Sequence, residues 1–404
     1  MRIIVNGLAA AGTRTGIGHY TTELIRCLLA QADGDTRIDL FRPDWLDRAK
    51  SVLAGMRRRA ESPARAAMPA QEKAGWTWKS TAVDGLRRAG LGVFRWRFRR
   101  RARVGRYDLY HEPSFLPVDC DLPTIVTVHD LSVLLHPEWH PADRVAQHQR
   151  EFQRGVSRAV HVVAISEHGR PEIIRTLGLP ADRVTRTYMG VRPGLRPLPV
   201  APVKARLREL DLPSKYLLYL GTIEPRKNVL TLLRAYCALP VPVRQRFPLV
   251  LAGGWGWNSG EVHDFLRARA ETAGVIYRGY VREEDLPYLY NGARALVFPS
   301  FYEGFGLPPV EMLACGGAVL ASTAGAVAET VGRKACLIEP EDVDGWTQAM
   351  SRVCRDDDWW ESLRRDAVDA VRSFTWERCA ADTLQVYRHV IHGSSATGDR
   401  RAAA

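Results

Sequence analysis

ALVFPSFYEGFGLPPVEMLACG, residues 295–316, passes from a short apolar stretch through a glycine-bearing loop into a helical pattern. Ala295 to Pro299 reads as a strand, because a brief apolar run closed by proline suits a buried parallel strand. The loop carries Glu303, Gly304 and Gly306, and Pro308 or Pro309 opens the helix, where a missing N–H costs little. Strand, tight loop and helix make up half of a βαβ unit, and that order recurs along the chain. Strands are expected at Arg2 to Gly7, Arg37 to Phe41, Tyr107 to His111, Thr124 to Val128, Val160 to Ile165 and Val184 to Tyr188. A second series covers Tyr216 to Gly221, Pro248 to Gly253, Val275 to Tyr280, Ala295 to Pro299, Ala318 to Ser322 and Ala335 to Ile338. The fold class is therefore α/β, with two doubly wound, Rossmann-like halves whose sheets present their carboxyl ends to a central cleft.

Between the two series lies RPGLRPLPVAP, residues 192–202, whose prolines read as a linker. The expected units are a first domain over 1–195, a second over 196–375, a helix over 376–392 crossing back to the first, and a disordered tail over 393–404. With 404 residues, 46% hydrophobic and 25% charged, the chain has the composition of an ordinary globular protein of two to three domains. Its 7 cysteines form an odd set without a Cys-x-x-Cys pair, which predicts a reducing compartment and no zinc site. No apolar run is long enough to cross a bilayer and the first residues lack a leader pattern, so a cytoplasmic protein is expected.

The net charge of +12 is uneven. Residues 48–106 hold 17 Lys plus Arg against Glu61, Glu72 and Asp84. Here the βα rhythm fails, and Trp76, Trp78, Phe94, Trp96 and Phe98 interleave with arginines. Two readings of this insertion are an anionic membrane surface, with the aromatics entering the interface, and a solvated loop enriched in Arg. A polyanion or nucleic-acid binder is a third, but no RNA or DNA motif accompanies the charge, so no nucleic-acid partner is expected.

Four further stretches carry candidate chemistry. In YLGTIEPRKNVL, residues 219–230, Arg226 and Lys227 stand at a helix start where the macrodipole disfavours cations. A diphosphate is the natural partner, with Arg offering a fork and Lys a point charge. In 295–316, the glycine loop and helix start form an anion site, and Glu303 and Glu311 can accept hydrogen bonds from sugar hydroxyls on either side of it. Gly16, Gly18 and His19 follow the first strand in a glycine turn that lacks the spacing of a dinucleotide fingerprint. His129 and Asp130 end the buried strand from Thr124, facing the cleft or serving as core. Ser166, at the start of another helix, reads as an N-cap or a cleft residue and lacks the glycines of a nucleophile elbow. His129, His136 and His140 complete no metal spacing, so neither a metal nor a cofactor is expected.

Taken together, GTIEPRKN, TVHDL and PSFYEGFGLPPVE resemble the retaining glycosyltransferases of family 4, of GT-B fold, over Arg2 to about Ile391. The wording is similar to the branch with mannosyltransferases of bacterial O-antigen and exopolysaccharide assembly. The resemblance implies a nucleotide-sugar donor, first GDP-mannose, then rhamnose, fucose, glucose or galactose donors. It also implies a glycan acceptor, expected to be linked to a polyprenyl lipid at the inner face of the plasma membrane. By the same resemblance Arg226 and Lys227 hold the diphosphate, Glu311 the ribose, and Tyr280 and Val281 the base. Glu303 holds the sugar with the backbone of Gly304, Phe305, Gly306 and Leu307, and His129 lies near the reacting carbon. Gly16 and Gly18 close over the phosphates, while His19, Asp130 and Ser166 are the acceptor candidates. Many relatives place an Arg directly after the strand glycine, where this chain has Thr222. A nucleotide-sugar epimerase or a phosphorylase on the same fold is the rival enzyme class.

Overall fold

The computed structural model describes residues 1–10, 16–42 and 78–402, with side chains placed for all of these except 78–89, 271 and 394–402. Twelve strands form two six-stranded parallel sheets. The first contains β1 (Arg2–Asn6), β2 (Arg37–Phe41), β3 (Leu109–Glu112), β4 (Thr124–Val128), β5 (His161–Ala164) and β6 (Val184–Arg186), in the order β2-β1-β3-β4-β5-β6. The second contains β7 (Leu217–Leu220), β8 (Leu249–Ala252), β9 (Val275–Gly279), β10 (Ala295–Phe298), β11 (Val319–Ser322) and β12 (Ala335–Ile338), in the order β12-β11-β10-β7-β8-β9. All four residues of β3, β5, β8, β10 and β11 are buried, as sheets covered on both faces require. Their apolar runs are therefore continuous rather than alternating, and this made them readable.

Every expected strand is present, with ends displaced by at most two residues. Three expectations need correction. The linker is shorter than its prolines suggested: a helix begins at Val200, and Pro202 sits in its first turn, where its missing N–H would have had no partner. At the other end, the helix that starts at Trp376 does not stop before Gly393 but runs to Ala402. No proline follows to end it, so the expected disordered tail is replaced by helix. This helix lies along the helix Gly16–Gln31: Gln31 donates to the Glu377 carbonyl at 2.8 Å, and the Tyr387 hydroxyl meets His111 Nδ1 at 2.6 Å. The last helix thus returns to the first sheet.

The third correction concerns the basic insertion. Residues 43–77, with Trp76 among them, lie outside the described residues, but residues Trp78–Val104 form one 27-residue helix. Phe94 and Phe98 are not available to a membrane: they are buried with Ala102 against Ile4, Tyr107 and Tyr110. Their i, i+4, i+8 spacing puts them on one helix face. Trp96, Arg97, Arg100 and Arg103 take the exposed side.

Candidate functional site

β10 ends at Phe298, and the chain turns through Ser300 to Gly306, whose φ of 85° is the left-handed geometry glycine tolerates. The helix Leu307–Ala314 then begins, with prolines in its first turn. This turn suspends Glu303 at the cleft floor. Lys227 Nζ meets Glu303 Oε1 at 2.5 Å, Ser300 donates to the same oxygen at 2.8 Å, and Arg226 Nη1 reaches Oε2 at 3.1 Å. Burial alone would push the Glu303 carboxyl up, but Lys227 and Arg226 outweigh it and hold the carboxyl below its ordinary range.

Arg226 and Lys227 come from a short 3-10 turn, Pro225–Lys227, after β7, with the α-helix itself starting at Val229. Asn228, at φ 54°, fixes that turn by donating to the Pro299 and Pro340 carbonyls at 3.0 and 2.7 Å. The Arg226 fork is shared: Nε and Nη2 donate to Glu224 at 3.1 and 2.9 Å, while Nη1 also serves the Tyr302 carbonyl and lies 3.9 Å from Asp130. Asp130 belongs to the other half of the molecule, so Arg226 ties the two halves together. Burial would raise the Asp130 carboxyl, but Arg226 and the hydrogen bonds from Ser132 hold it below its usual range.

His129 and Asp130 follow β4 directly. His129 is buried, its Nε2 2.8 Å from the Pro113 carbonyl and the edge of Tyr20 against its ring. Burial lowers its pKa, which favours the neutral imidazole at neutral pH. Gly304 packs on the backbone of His129 so closely that a Cβ built there would stand 1.8 Å from the His129 carbonyl oxygen. Between these faces remains a cavity of about 10 Å³, lined among others by His129, Asp130, Ser166, Tyr302, Glu303 and Gly304. That is space for one water at most between these two faces.

Glu311 sits elsewhere in the same cleft. It is 1% exposed, accepts from the Tyr290 hydroxyl at 2.6 Å and lies 3.5 Å from Arg192 Nε. Burial raises its pKa, with Arg192 and Tyr290 opposing. Arg192 also approaches Glu283 at 3.8 Å, and Glu283 in turn faces His19 Nδ1 at 3.4 Å.

The structure brings Asp130, His129, Arg226, Lys227, Glu303 and Gly304 into one cluster, while Glu311 lies with Arg192 and Tyr290, and Tyr280 acts on Arg192 electrostatically. Tyr280 is 60% exposed beyond β9, and Val281 is half-buried. Ser166 accepts from the Gly169 N–H at 3.0 Å, as a cap does, while still lining the small cavity. Gly16 and Gly18 open the helix Gly16–Gln31, and residues 11–15 before them lie outside the described residues. His19 is placed apart from the other acceptor candidates: it is fully buried against Trp376 and Glu283. Phe305 points into the core between Tyr188 and Phe374, leaving only its backbone for a ligand, and Leu307 is half-buried against the same core. Among the described residues no group of three or more His, Cys, Asp or Glu is placed to hold a metal.

Sequence reasoning missed Glu224, Arg192, Glu283 and Tyr290. Glu224 lay in plain view beside Arg226; the others come from segments distant in the chain, and only folding reveals their partners.

Residues 15–195 match the model of Glycosyltransferase Family 4, and residues 206–373 that of Glycosyl transferases group 1. The chain is 33% identical to O-antigen chain mannosyltransferase B of Escherichia coli over 93% of its own length and 96% of that protein. The chain belongs to the family 4 glycosyltransferases. This glycosyltransferase is also 30% identical, over 68% of its length, to the serotype-specific mannosyltransferase WbdA of Escherichia coli, of which it spans 34%. In fold it is similar to HepE of Anabaena, solved with UDP and glucose, at a TM-score of 0.69 and 17% identity over 96% of this chain and 100% of that one. The two facing sheets and the returning last helix are thus the GT-B architecture.

Proposed function

We propose that this glycosyltransferase moves mannose from GDP-mannose, with retention and without a metal, to a glycan carried on a polyprenyl diphosphate in cell-surface polysaccharide synthesis. The observation that carries the reading is the convergence of Lys227, Arg226 and Glu303 beneath His129 and Gly304 where the two halves meet. Similarity to O-antigen chain mannosyltransferase B over nearly the whole of both chains supports mannose.

In this reading the donor diphosphate lies over Lys227 and Arg226 and the amides from Gly304 to Leu307, while Glu311 takes the ribose. The sugar hydroxyls meet Glu303, and the Pro113 carbonyl fixes the His129 ring close to C1. As the bond from C1 to the diphosphate oxygen breaks, negative charge grows on the leaving group, where cations in a dry site stabilise it most. The acceptor hydroxyl attacks the same face of C1, and its proton passes to the departing diphosphate. Asp130 and Ser166 contact the acceptor. Because Lys227 and Arg226 are paired with Glu303, and Arg226 with Glu224 as well, the incoming diphosphate takes up hydrogen bonds these cations give to carboxylates.

On the exposed side of the helix Trp78–Val104, Trp96 lies with Arg97, Arg100 and Arg103, a basic face suited to an anionic membrane where a lipid-linked acceptor resides. A thermal-shift screen against GDP, UDP, ADP and dTDP and their mannose, glucose or rhamnose conjugates tests the donor, since a ligand of the folded state raises the midpoint. GDP and GDP-mannose should shift it most. A shift by UDP or dTDP sugars alone would replace mannose, and no shift by any would remove the transferase reading of this cleft.

A further inference from the structure

Arg192 was visible in the sequence only as the first residue of a linker. In the structure its side chain turns back into the molecule, 18% exposed, and stands between two carboxylates from the second half, Glu311 at 3.5 Å and Glu283 at 3.8 Å. Arg192 Nε and Glu311 Oε1 are both buried, and neither makes a hydrogen bond among the described residues. An apposed cation and carboxylate with unused hydrogen-bonding capacity is by itself a costly arrangement. It is a sensible one for a site that receives hydroxyls.

We propose that Arg192 is a positioning residue for the nucleoside half of the donor: it keeps Glu311 ionised and turned so that Oε1 can accept from the ribose hydroxyls. This rests on the reading that Glu311 binds the ribose. The charged and titratable groups around Glu311 are few. Tyr290 donates to Oε2 from the helix Leu286–Gly292, Glu283 approaches from the turn after β9, and Cys315 follows on the helix of Glu311 itself. Arg192 has Glu311, Glu283, Tyr290 and Tyr280 around it. Arg192 is therefore the one cation in direct apposition to Glu311 among the described residues, and Glu283 competes for it. His19 faces Glu283 from the first half, so the array runs from one half through the linker to the other.

The sign of the effect is fixed. Burial pushes the Glu311 carboxyl up and Arg192 opposes it, so without Arg192 the carboxyl takes a proton at a higher pH. A protonated Glu311 can no longer accept two hydroxyls, and nucleotide affinity falls.

The test measures GDP affinity of the full chain by calorimetry between pH 5.5 and 9, for wild type, Arg192→Gln, Arg192→Lys and Glu311→Gln, with pyrophosphate as a second probe. UDP replaces GDP if the screen above selects it. In Arg192→Gln the pH at which affinity is half lost should rise by a unit or more, so that below that midpoint binding is about tenfold weaker than in wild type at the same pH and the loss recovers as pH rises. Pyrophosphate binding should be unchanged. A profile superposable on wild type, or an equal loss for pyrophosphate, overturns the proposal. Arg192→Lys keeps a cation and should stay near the wild-type profile; should Arg192→Gln not fold, Arg192→Met carries the test, and no rise in its half-loss pH overturns the proposal. Glu311→Gln separates the two readings. If that variant binds GDP as wild type does, the ribose reading itself fails; if it weakens GDP while Arg192→Gln or Arg192→Met keeps the wild-type profile, only the role of Arg192 fails.

Discussion

Replacing Gly304 by Ala tests whether the close approach of Gly304 to the His129 backbone belongs to the working form. The added Cβ would lie 1.8 Å from the His129 carbonyl oxygen, 2.9 Å from its carbon and 3.1 Å from the Asp130 Cβ, where ordinary contact begins near 3.4 Å. The two faces must therefore part by about 1.6 Å, and none of the obstructing atoms is the end of a flexible side chain. Glu303 and the helix start move with Gly304; His129 and Asp130 stay with the first sheet. A displacement of about 1 Å between reacting groups costs on the order of a hundredfold in rate. The expected result is a fall in kcat of about a hundredfold or more, read as nucleoside diphosphate released from the donor that the thermal-shift screen selects. Because Lys227, Arg226 and Glu311 all lie in the second half, GDP affinity should change less than about threefold, and the thermal midpoint should show that both sheets still fold. A kcat within about threefold of wild type would refute the reasoning, since the enzyme would then turn over with its halves further apart than in this structure.

Three other outcomes follow from the same geometry. Lys227→Ala removes the cation closest to Glu303, so kcat/KM should fall by about a hundredfold, or roughly 3 kcal/mol; a loss under about fivefold would leave leaving-group stabilisation to other groups. Burial lowers His111 to about 3 and His148 to about 4, so an unfolded chain takes up protons below pH 6.5 that these folded imidazoles refuse. Stability present above that pH is lost as pH falls, by about 2 kcal/mol for each at pH 5. Urea unfolding at pH 7.5 and 5 should show this difference shrinking by about that amount in His148→Gln, and an unchanged difference would contradict the assignment. On anionic liposomes at low salt the wild type should float, and Arg97→Glu combined with Trp96→Ala should not; wild type that stays in solution removes the membrane proposal.

Fold and site were legible to different depths. Parallel strands covered on both faces are apolar at consecutive positions, so a strand such as Thr124–Val128 could be placed at its observed ends. The helix Trp78–Val104 was missed because arginines interrupt its apolar stripe. Phe94, Phe98 and Ala102 recur at helical spacing, yet the intervening charges made composition look decisive, and only packing against Tyr110 shows which face is core. In the site, residue types that carry their own chemistry announced themselves: two carboxylates about a glycine loop, and two cations where the helix dipole disfavours them.

What stayed hidden was relational. Arg226 read as a free phosphate ligand, whereas its fork is spread over Glu224, Glu303, the Tyr302 carbonyl and, at longer range, Asp130 of the facing half. Lys227, with one short contact, has more left to give a diphosphate. Gly304 read as a donor of backbone N–H, while the reason it must be glycine is the His129 carbonyl opposite, which belongs to a different sheet. A glycine required by its own φ can be inferred from local turn chemistry. One required by the approach of another segment cannot be, because the steric demand exists only after the two halves have met. By that reasoning the residues here that couple the halves, Gly304, Arg226 and Arg192, are the ones local pattern could not interpret, and they are where substitutions should separate binding from turnover.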